Sequence, residues 1–286
     1  MKMTRSTAAL AAVAVSSLLA LSGCAGDATA KDGASPSVKS ISAGTLTVGS
    51  DLTYPPYDML QDGKPAGFDV DVMTAVAGEL GLTPKFNDTR FAQIIAGIKA
   101  NRYDVIASTL YISASRAQEV DFVPYFQTGN SIISPANGTA YAAPQDLCGK
   151  TVGIVTATVI AKILPGQESE KCKAAGKPAI RVKEFPTDPE ASQALFAGQV
   201  DAQMTDAAVA KTVVDKSNGR LRITSTSVIY PIAVGLGVQK GNTEMKTALE
   251  KAIDSLQKSG KLAELAKKYN IETADPAVVA ESLKQG

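Results

Sequence analysis

The sequence predicts an α/β protein with parallel sheets, built in two halves. Short apolar strands alternate with amphipathic helices from about residue 44 onward, the pattern of strand–helix–strand units. The rhythm breaks and restarts after about residue 131. A chain of 286 residues can supply two ordinary cores, and two sheets fit that length better than one. No internal repeat is visible, so the pattern alone does not fix the division into lobes.

The elements follow in order. Leu46 and Val48 alternate in a strand ending near Ser50. Val72, Met73, Val76, Ala77 and Leu80 recur at helical spacing, and Gly81 closes that helix. Residues 91–99 read as a second helix and 105–108 as the next strand. In the second half, 151–155 is a strand, 158–164 a helix, 180–185 a strand and 189–197 a helix. Residues 202–205 form another strand, followed by a helix from 207 to about 216. A strand over 232–238 precedes a helix whose buried face carries Met245, Leu249, Ala252, Ile253 and Leu256.

The N-terminus reads as an export signal. Lys2 and Arg5 precede an apolar stretch from Ala8 to Leu21. About 14 apolar residues are too few to span a bilayer as a helix, which suits a cleaved leader. The stretch ends in Leu21-Ser22-Gly23-Cys24, which resembles the lipobox of bacterial lipoproteins. That resemblance implies a signal peptide over 1–23, lipidation of Cys24 and a membrane anchor. Diacylation would make attachment stable, at about 0.8 kcal/mol per buried methylene. The alternative is an ordinary leader cut near Ala25 or Ala28. Residues 24–43 hold almost no large apolar side chain and read as a flexible tether.

Composition removes several function classes. The 29 basic and 28 acidic residues balance to +1, so no basic field offers itself to nucleic acid. There is no histidine, which removes the commonest general base, a usual metal ligand and the Ser-His and Cys-His pairs. Neither a metal nor a cofactor is expected. With Cys24 taken by lipid, Cys148 and Cys172 remain as an even pair in an oxidising compartment. A bridge between them would contribute about 3 kcal/mol by the chain-entropy model.

Several segments resemble the polar amino-acid-binding family 3 of bacterial extracellular solute-binding proteins. Residues 46–51 followed by Tyr54-Pro55-Pro56-Tyr57 are similar to its first strand and pocket loop. Gly67-Phe68-Asp69-Val70-Asp71 matches its glycine, aromatic and paired-aspartate run. Asp104 to Ser108, then Ser113-Ala114-Ser115-Arg116 and Val120-Asp121-Phe122, resemble its strand, arginine turn and Asp-Phe segment. Residues 146–153 and 198–202 match in the second half.

The resemblance implies a two-lobe periplasmic-binding-protein (Venus flytrap) fold with two hinge crossover strands. Lobe 1 would comprise residues 44–130 and 230–286, and lobe 2 residues 131–229, with hinges near 127–131 and 230–233. It implies a monomeric, extracytoplasmic component of an ABC importer that captures a small amino-acid-like zwitterion by lobe closure and docks on a permease.

On this reading Arg116 is the fork for the ligand carboxylate, since a planar guanidinium holds both oxygens. Asp206, at a strand end, would accept the ammonium; it also suits a helix N-cap ahead of Ala207. Thr158 and Val159 lie in a turn whose backbone N–H groups would face the carboxylate. The family usually carries a glycine there, where this chain has Ala157. Ser108 and Thr109 match positions that meet the ammonium, and Tyr111 stands where many relatives have Ser or Thr. Tyr54 and Phe91 match aromatic walls, and Asp51 the pocket floor, where it would favour a cationic side chain. Val159 and Ile160 pull toward an apolar one. Two further readings remain: a ligand-presenting sensor lipoprotein, and a dehydratase on the same scaffold. The second needs an added acid or base in the cleft, a role that Glu79, Glu119 and Glu184 are not expected to fill.

Overall fold

The computed structural model describes residues 38–285. The predicted leader, Cys24 and most of the predicted tether lie outside the described residues. The folded body begins earlier than the expected boundary at residue 44. Val38 is buried in the core, and the backbone N–H groups of Lys39 and Ile41 donate to Glu244 (2.9 Å) and Asp104 (2.7 Å). One buried valine and carboxylates on the body hold a segment whose composition alone reads as tether.

Strand β1 (Thr45–Ser50) leads into a small antiparallel sheet of β2 (Thr53–Tyr54), β3 (Asp58–Gln61) and β4 (Lys64–Ala66). Helix α1 (Phe68–Glu79), β5 (Thr83–Asp88), α2 (Phe91–Lys99), β6 (Val105–Ile106) and α3 (Ala114–Ala117) follow. A long strand, β7 (Val120–Pro135), leaves this half. The second half holds β8 (Thr151–Val155), α4 (Ile160–Ile163), α5 (Ser169–Ala174), β9 (Arg181–Phe185) and α6 (Asp188–Phe196). It continues with β10 (Ala202–Asp206), α7 (Ala207–Asp215) and β11 (Leu221–Ile223). Strand β12 (Ile229–Gln239) returns, and α8 (Thr243–Lys258), α9 (Lys261–Tyr269), β13 (Glu272–Thr273) and α10 (Pro276–Ser282) complete the fold.

Two parallel groups, β5–β1–β6 and β10–β8–β9, carry the strand–helix alternation. They are not separate sheets, as the pattern suggested. The antiparallel pair β12–β7 joins them into one path, β5-β1-β6-β12-β7-β10-β8-β9. Strand β7 makes this possible by its length of 16 residues. It pairs with β12 from Val120 to Asn130 and with β10 from Asn130 to Ile133. Helices α1, α8 and α9 bury Met73, Leu249, Leu256 and Leu262 against β1 and β12, and a separate core forms around Val152, Ile154, Leu164 and Met204. The result is a mixed α/β fold of two lobes crossed by two long strands.

The crossing is irregular. A Cβ on Gly129 would press on Val228 Cγ1 and fall 2.9 Å from the Ile229 carbonyl oxygen, so a side chain there requires β12 to shift. Opposite it the β12 register slips between Ile229 and Ile232, and Tyr230 has a φ of +51°. The helix expected over 158–164 begins only at Ile160, because Ala157 turns left-handed (φ +61°) and Thr158 and Val159 form bends. It then passes through a π-type turn, Leu164–Glu168, containing Pro165. Cys148 and Cys172 are disulfide-bonded with Cα atoms 5.6 Å apart.

Candidate functional site

A cavity of about 590 Å³, its mouth included, lies among loops from both halves. Every predicted ligand-binding residue except Asp206 lines it. Asp51, Tyr54, Phe91, Ser108, Thr109, Tyr111 and Arg116 form the wall from the first half, at the ends of β1 and β6 and the starts of α2 and α3. Thr158, Val159, Thr187, Asp188, Met204 and Thr205 face them from the second.

Arg116 is placed by its own short helix. Ser113 caps α3 by accepting from the Arg116 backbone N–H (3.3 Å). The guanidinium is 8% exposed, donates to the carbonyls of Tyr111 (2.8 Å) and Ala157 (3.0 Å), and sits 5.3 Å from the centre of the Phe91 ring. It makes no ion pair among the described residues. Burial lowers its pKa to about 10, so it stays protonated at neutral pH. A buried cation beside a cavity, without an ion-pair partner among the described residues, can receive an anion.

Asp51 is less available than its position suggests. Arg90 pairs with it at 2.8 Å, Thr53 donates to it at 2.6 Å, and the Phe91 backbone N–H donates to its other oxygen at 2.8 Å. It therefore caps α2 and neutralises Arg90, and the charge expected to select a cationic side chain is already matched. The Ser108 hydroxyl accepts from Asp51 N–H (2.9 Å). Thr109, at φ +47°, donates its backbone N–H to Asp69 (2.8 Å). This explains the glycine–aromatic–aspartate run. Gly67, at φ +124°, lets the chain pass against the Tyr57 carbonyl, and Asp69 then braces the Thr109 loop and Tyr125 (2.7 Å).

In the turn after β8, the Thr158 hydroxyl donates to the Val155 carbonyl (2.8 Å). The backbone N–H groups of Val159 and Ile160 find no acceptor among the described residues. Ala157 holds the left-handed conformation that a glycine would adopt freely, at a cost of about 1 kcal/mol.

Asp206 lies just behind the wall, fully buried. One oxygen accepts from Tyr57 (2.9 Å) and the Ala208 N–H (2.9 Å); the other accepts from Tyr111 (2.8 Å) and Thr128 (2.8 Å). It caps α7, as expected, and joins the two halves. Burial raises its pKa, and these donors partly oppose the rise. Tyr54 joins the halves too, contacting the Thr205 hydroxyl (3.1 Å) and the Asp206 N–H (3.3 Å).

Sequence reasoning did not single out Asp188. It opens α6 just before Pro189 and reads as an ordinary helix start. In the fold it is 2% exposed and lines the cavity, and burial pushes its pKa up to about 6. Thr205 and Met204 were legible only as strand residues. No group of His, Cys, Asp and Glu suited to a metal ion occurs among the described residues.

The comparisons with known proteins follow this geometry. The family model described as bacterial extracellular solute-binding proteins, family 3, matches residues 46–272. The chain belongs to this family. It is 30% identical over 229 residues to the L-cystine-binding protein TcyJ of Escherichia coli strain K12, covering 79% of this chain and 82% of the relative. Among solved structures it resembles an ancestral arginine-binding protein bound to arginine, with a TM-score of 0.72 and 32% identity, covering 79% of this chain and 98% of that one. It also resembles the ancestral amino-acid-binding protein AncCDT-1, a precursor of cyclohexadienyl dehydratase, with a TM-score of 0.67, 26% identity and coverage of 79% and 95%. This solute-binding protein thus shares the two-lobe periplasmic-binding fold of its relatives.

Proposed function

We propose that this protein is the extracytoplasmic substrate-binding component of an ABC importer and captures a small amino acid or amino-acid-like zwitterion by lobe closure. The observation that carries the reading is Arg116, a buried guanidinium that has no ion-pair partner among the described residues and lines a cavity shared by two halves. A ligand carboxylate would take its two N–H edges together with the open backbone donors of Val159 and Ile160. Thr158 orders that turn. Ser108, Thr109 and Tyr111 form the neighbouring wall, and Tyr54 and Phe91 enclose the ligand's carbon skeleton. The acidic charge of Asp206, behind Tyr54 and Tyr111, favours a ligand that also carries a cation. Asp51, matched to Arg90, acts on the ligand as a polar floor.

Lobe 1 is assigned to residues 38–130 and 230–285 and lobe 2 to 131–229, with closure about the crossing of β7 and β12 at Gly129 and Tyr230. The protein works as a monomer, without a cofactor. A binding role, rather than catalysis, fits a wall whose ionisable side chains serve as ligand anchors or structural caps. A turnover assay with prephenate-type acids tests that point, and product formation would overturn it.

The Leu21-Ser22-Gly23-Cys24 run supports anchoring to the cell membrane by N-terminal lipid. Cys24→Ser is expected to move the protein out of the membrane fraction; retention there would refute the anchor. The main reading is tested by a thermal-shift panel of the proteinogenic amino acids on the full chain. A ligand at 100 times its dissociation constant adds about 2.7 kcal/mol. Binding is expected for a subset of the panel, and a flat response to all of it would reject the amino-acid class.

A further inference from the structure

Residues 274–285 lie past the family match at 46–272 and do not line the cavity, yet they bond to both crossing strands and to the turn that carries Arg116. On β7, the Gln127 side chain accepts from the Asp275 N–H (2.9 Å) and donates to Glu272 (3.0 Å). On β12, the Ala233 N–H donates to the Ser282 hydroxyl (2.9 Å), which itself donates to the Val278 carbonyl (2.7 Å). The Ala233 carbonyl accepts from the Ile112 N–H (2.9 Å). Ile112 adjoins Tyr111, whose carbonyl holds one edge of the Arg116 guanidinium (2.8 Å). A second route is shorter. The Gln285 carbonyl accepts from the N–H of Ala114 (2.8 Å), the first residue of α3. The opening N–H groups of a helix have no partner within it, and α3 is the single turn that presents Arg116.

We infer that Ser282 is a positioning residue for ligand binding, and that residues 274–285 are a splint holding the Arg116 turn in the geometry that receives a carboxylate. The inference rests on the zwitterion-binding reading above and adds a segment that acts on the ligand only through Arg116. A serine bonded back to the carbonyl four residues earlier is ordinary in a helix. That habit does not account for a fully buried hydroxyl that also accepts from a strand N–H. Nor is the segment a large part of the core. Helix α10 has seven residues, too few to stand alone, and Ser282 is its one buried residue. Val278 and Val279 are half-buried and Leu283 is exposed. Hydrogen bonds therefore carry much of the docking, and losing them leaves the main cores of both halves in place.

Each proteinogenic amino acid that binds the full chain is titrated calorimetrically into Ser282→Ala and into a variant lacking residues 274–286, at a temperature where both are folded. Affinity is expected to fall roughly tenfold or more in each, the scale of a displaced anchoring group. Amide exchange read by NMR should speed up at Ile112 and Ala114 in the same variants. Affinity that holds while protection is lost would make the segment merely structural and overturn the inference; so would a loss of affinity with protection unchanged. A wild-type measurement keeps the test decisive if the variants do not fold. Coupling between two sites is reciprocal, so the bound amino acid should slow exchange at Ala114 and Ala233 more than at Leu249 of α8. Equal slowing at all three would overturn the inference while leaving amino-acid binding intact. Failure of the wild type to bind any amino acid would instead count against the zwitterion reading and the inference together.

Discussion

Arg116 shows how one side chain can be structurally supported and still chemically unfinished. Two backbone carbonyls and the Phe91 ring hold its orientation, yet its charge has no partner among the described residues. Removing it should therefore affect the two properties unequally. In Arg116→Ala, amino-acid affinity measured by calorimetry should fall at least about 100-fold, the scale of breaking a buried ion pair. Folding stability measured in urea should fall by no more than about 2 kcal/mol, because two carbonyls lose a donor while an unpaired buried charge is relieved. Arg116→Lys should not restore affinity, since an ammonium cannot grip two oxygens in one plane. The identity of this residue was legible in the Ser113 to Arg116 run. The state of its acidic counterparts was not. Tyr57, Tyr111 and Thr128 reach Asp206 from 149, 95 and 78 positions away. Nothing local to Asp206 says that its oxygens are already satisfied.

At the scale of elements, periodicity located strands and helices wherever one side chain pattern dominated. The second helix, Phe91–Lys99, matches the expected range, and so does the strand Thr151–Val155. It failed on β7, which contains Pro124 and Gly129 and lacks clean alternation. That strand exists because β12, β10, β11 and β13 all pair with it, with a register shift where Pro124 meets Gly235. At Gly129 it passes close to β12. Gly129→Ala should destabilise the protein by about 1–3 kcal/mol through overpacking against Val228 and the Ile229 carbonyl, read out by urea unfolding. An unchanged midpoint would mean the crossing can relax. The Cys148–Cys172 bridge closes a loop spanning 24 positions that contains β8, α4 and the start of α5. Reduction, or paired serine substitution, should lower stability by about 3 kcal/mol in the same assay.

For the whole molecule, the buried carboxylates give a pH signature opposite to that of a protein held by surface ion pairs. Burial raises Asp69 and Asp188 to about 6, and Asp58, packed with Asp69, is raised well above the ordinary carboxylate range. A carboxyl whose folded pKa exceeds its unfolded one near 3.8 binds its proton more readily in the folded state. The stability it contributes is full below the unfolded value and is lost as pH rises through the folded value. The melting temperature of the free protein should therefore rise as pH falls from 7 to 5, measured by calorimetry in low-salt buffer. A fall over that window would show that these acids are better solvated than their burial implies.

The amino-acid order by itself determined the α/β class, the family, the Cys148–Cys172 pairing and the arginine proposed to meet the ligand. Each of these depends on local spacing, on side-chain chemistry or on counting, and all three are written along the chain. Only the tertiary structure decided that the two halves share one sheet, that the folded body includes Val38, and that Asp206 is buried among donors from both halves. Those outcomes depend on lone pairs and donors brought together from distant segments, and pairing of that kind comes into being only when the chain is folded.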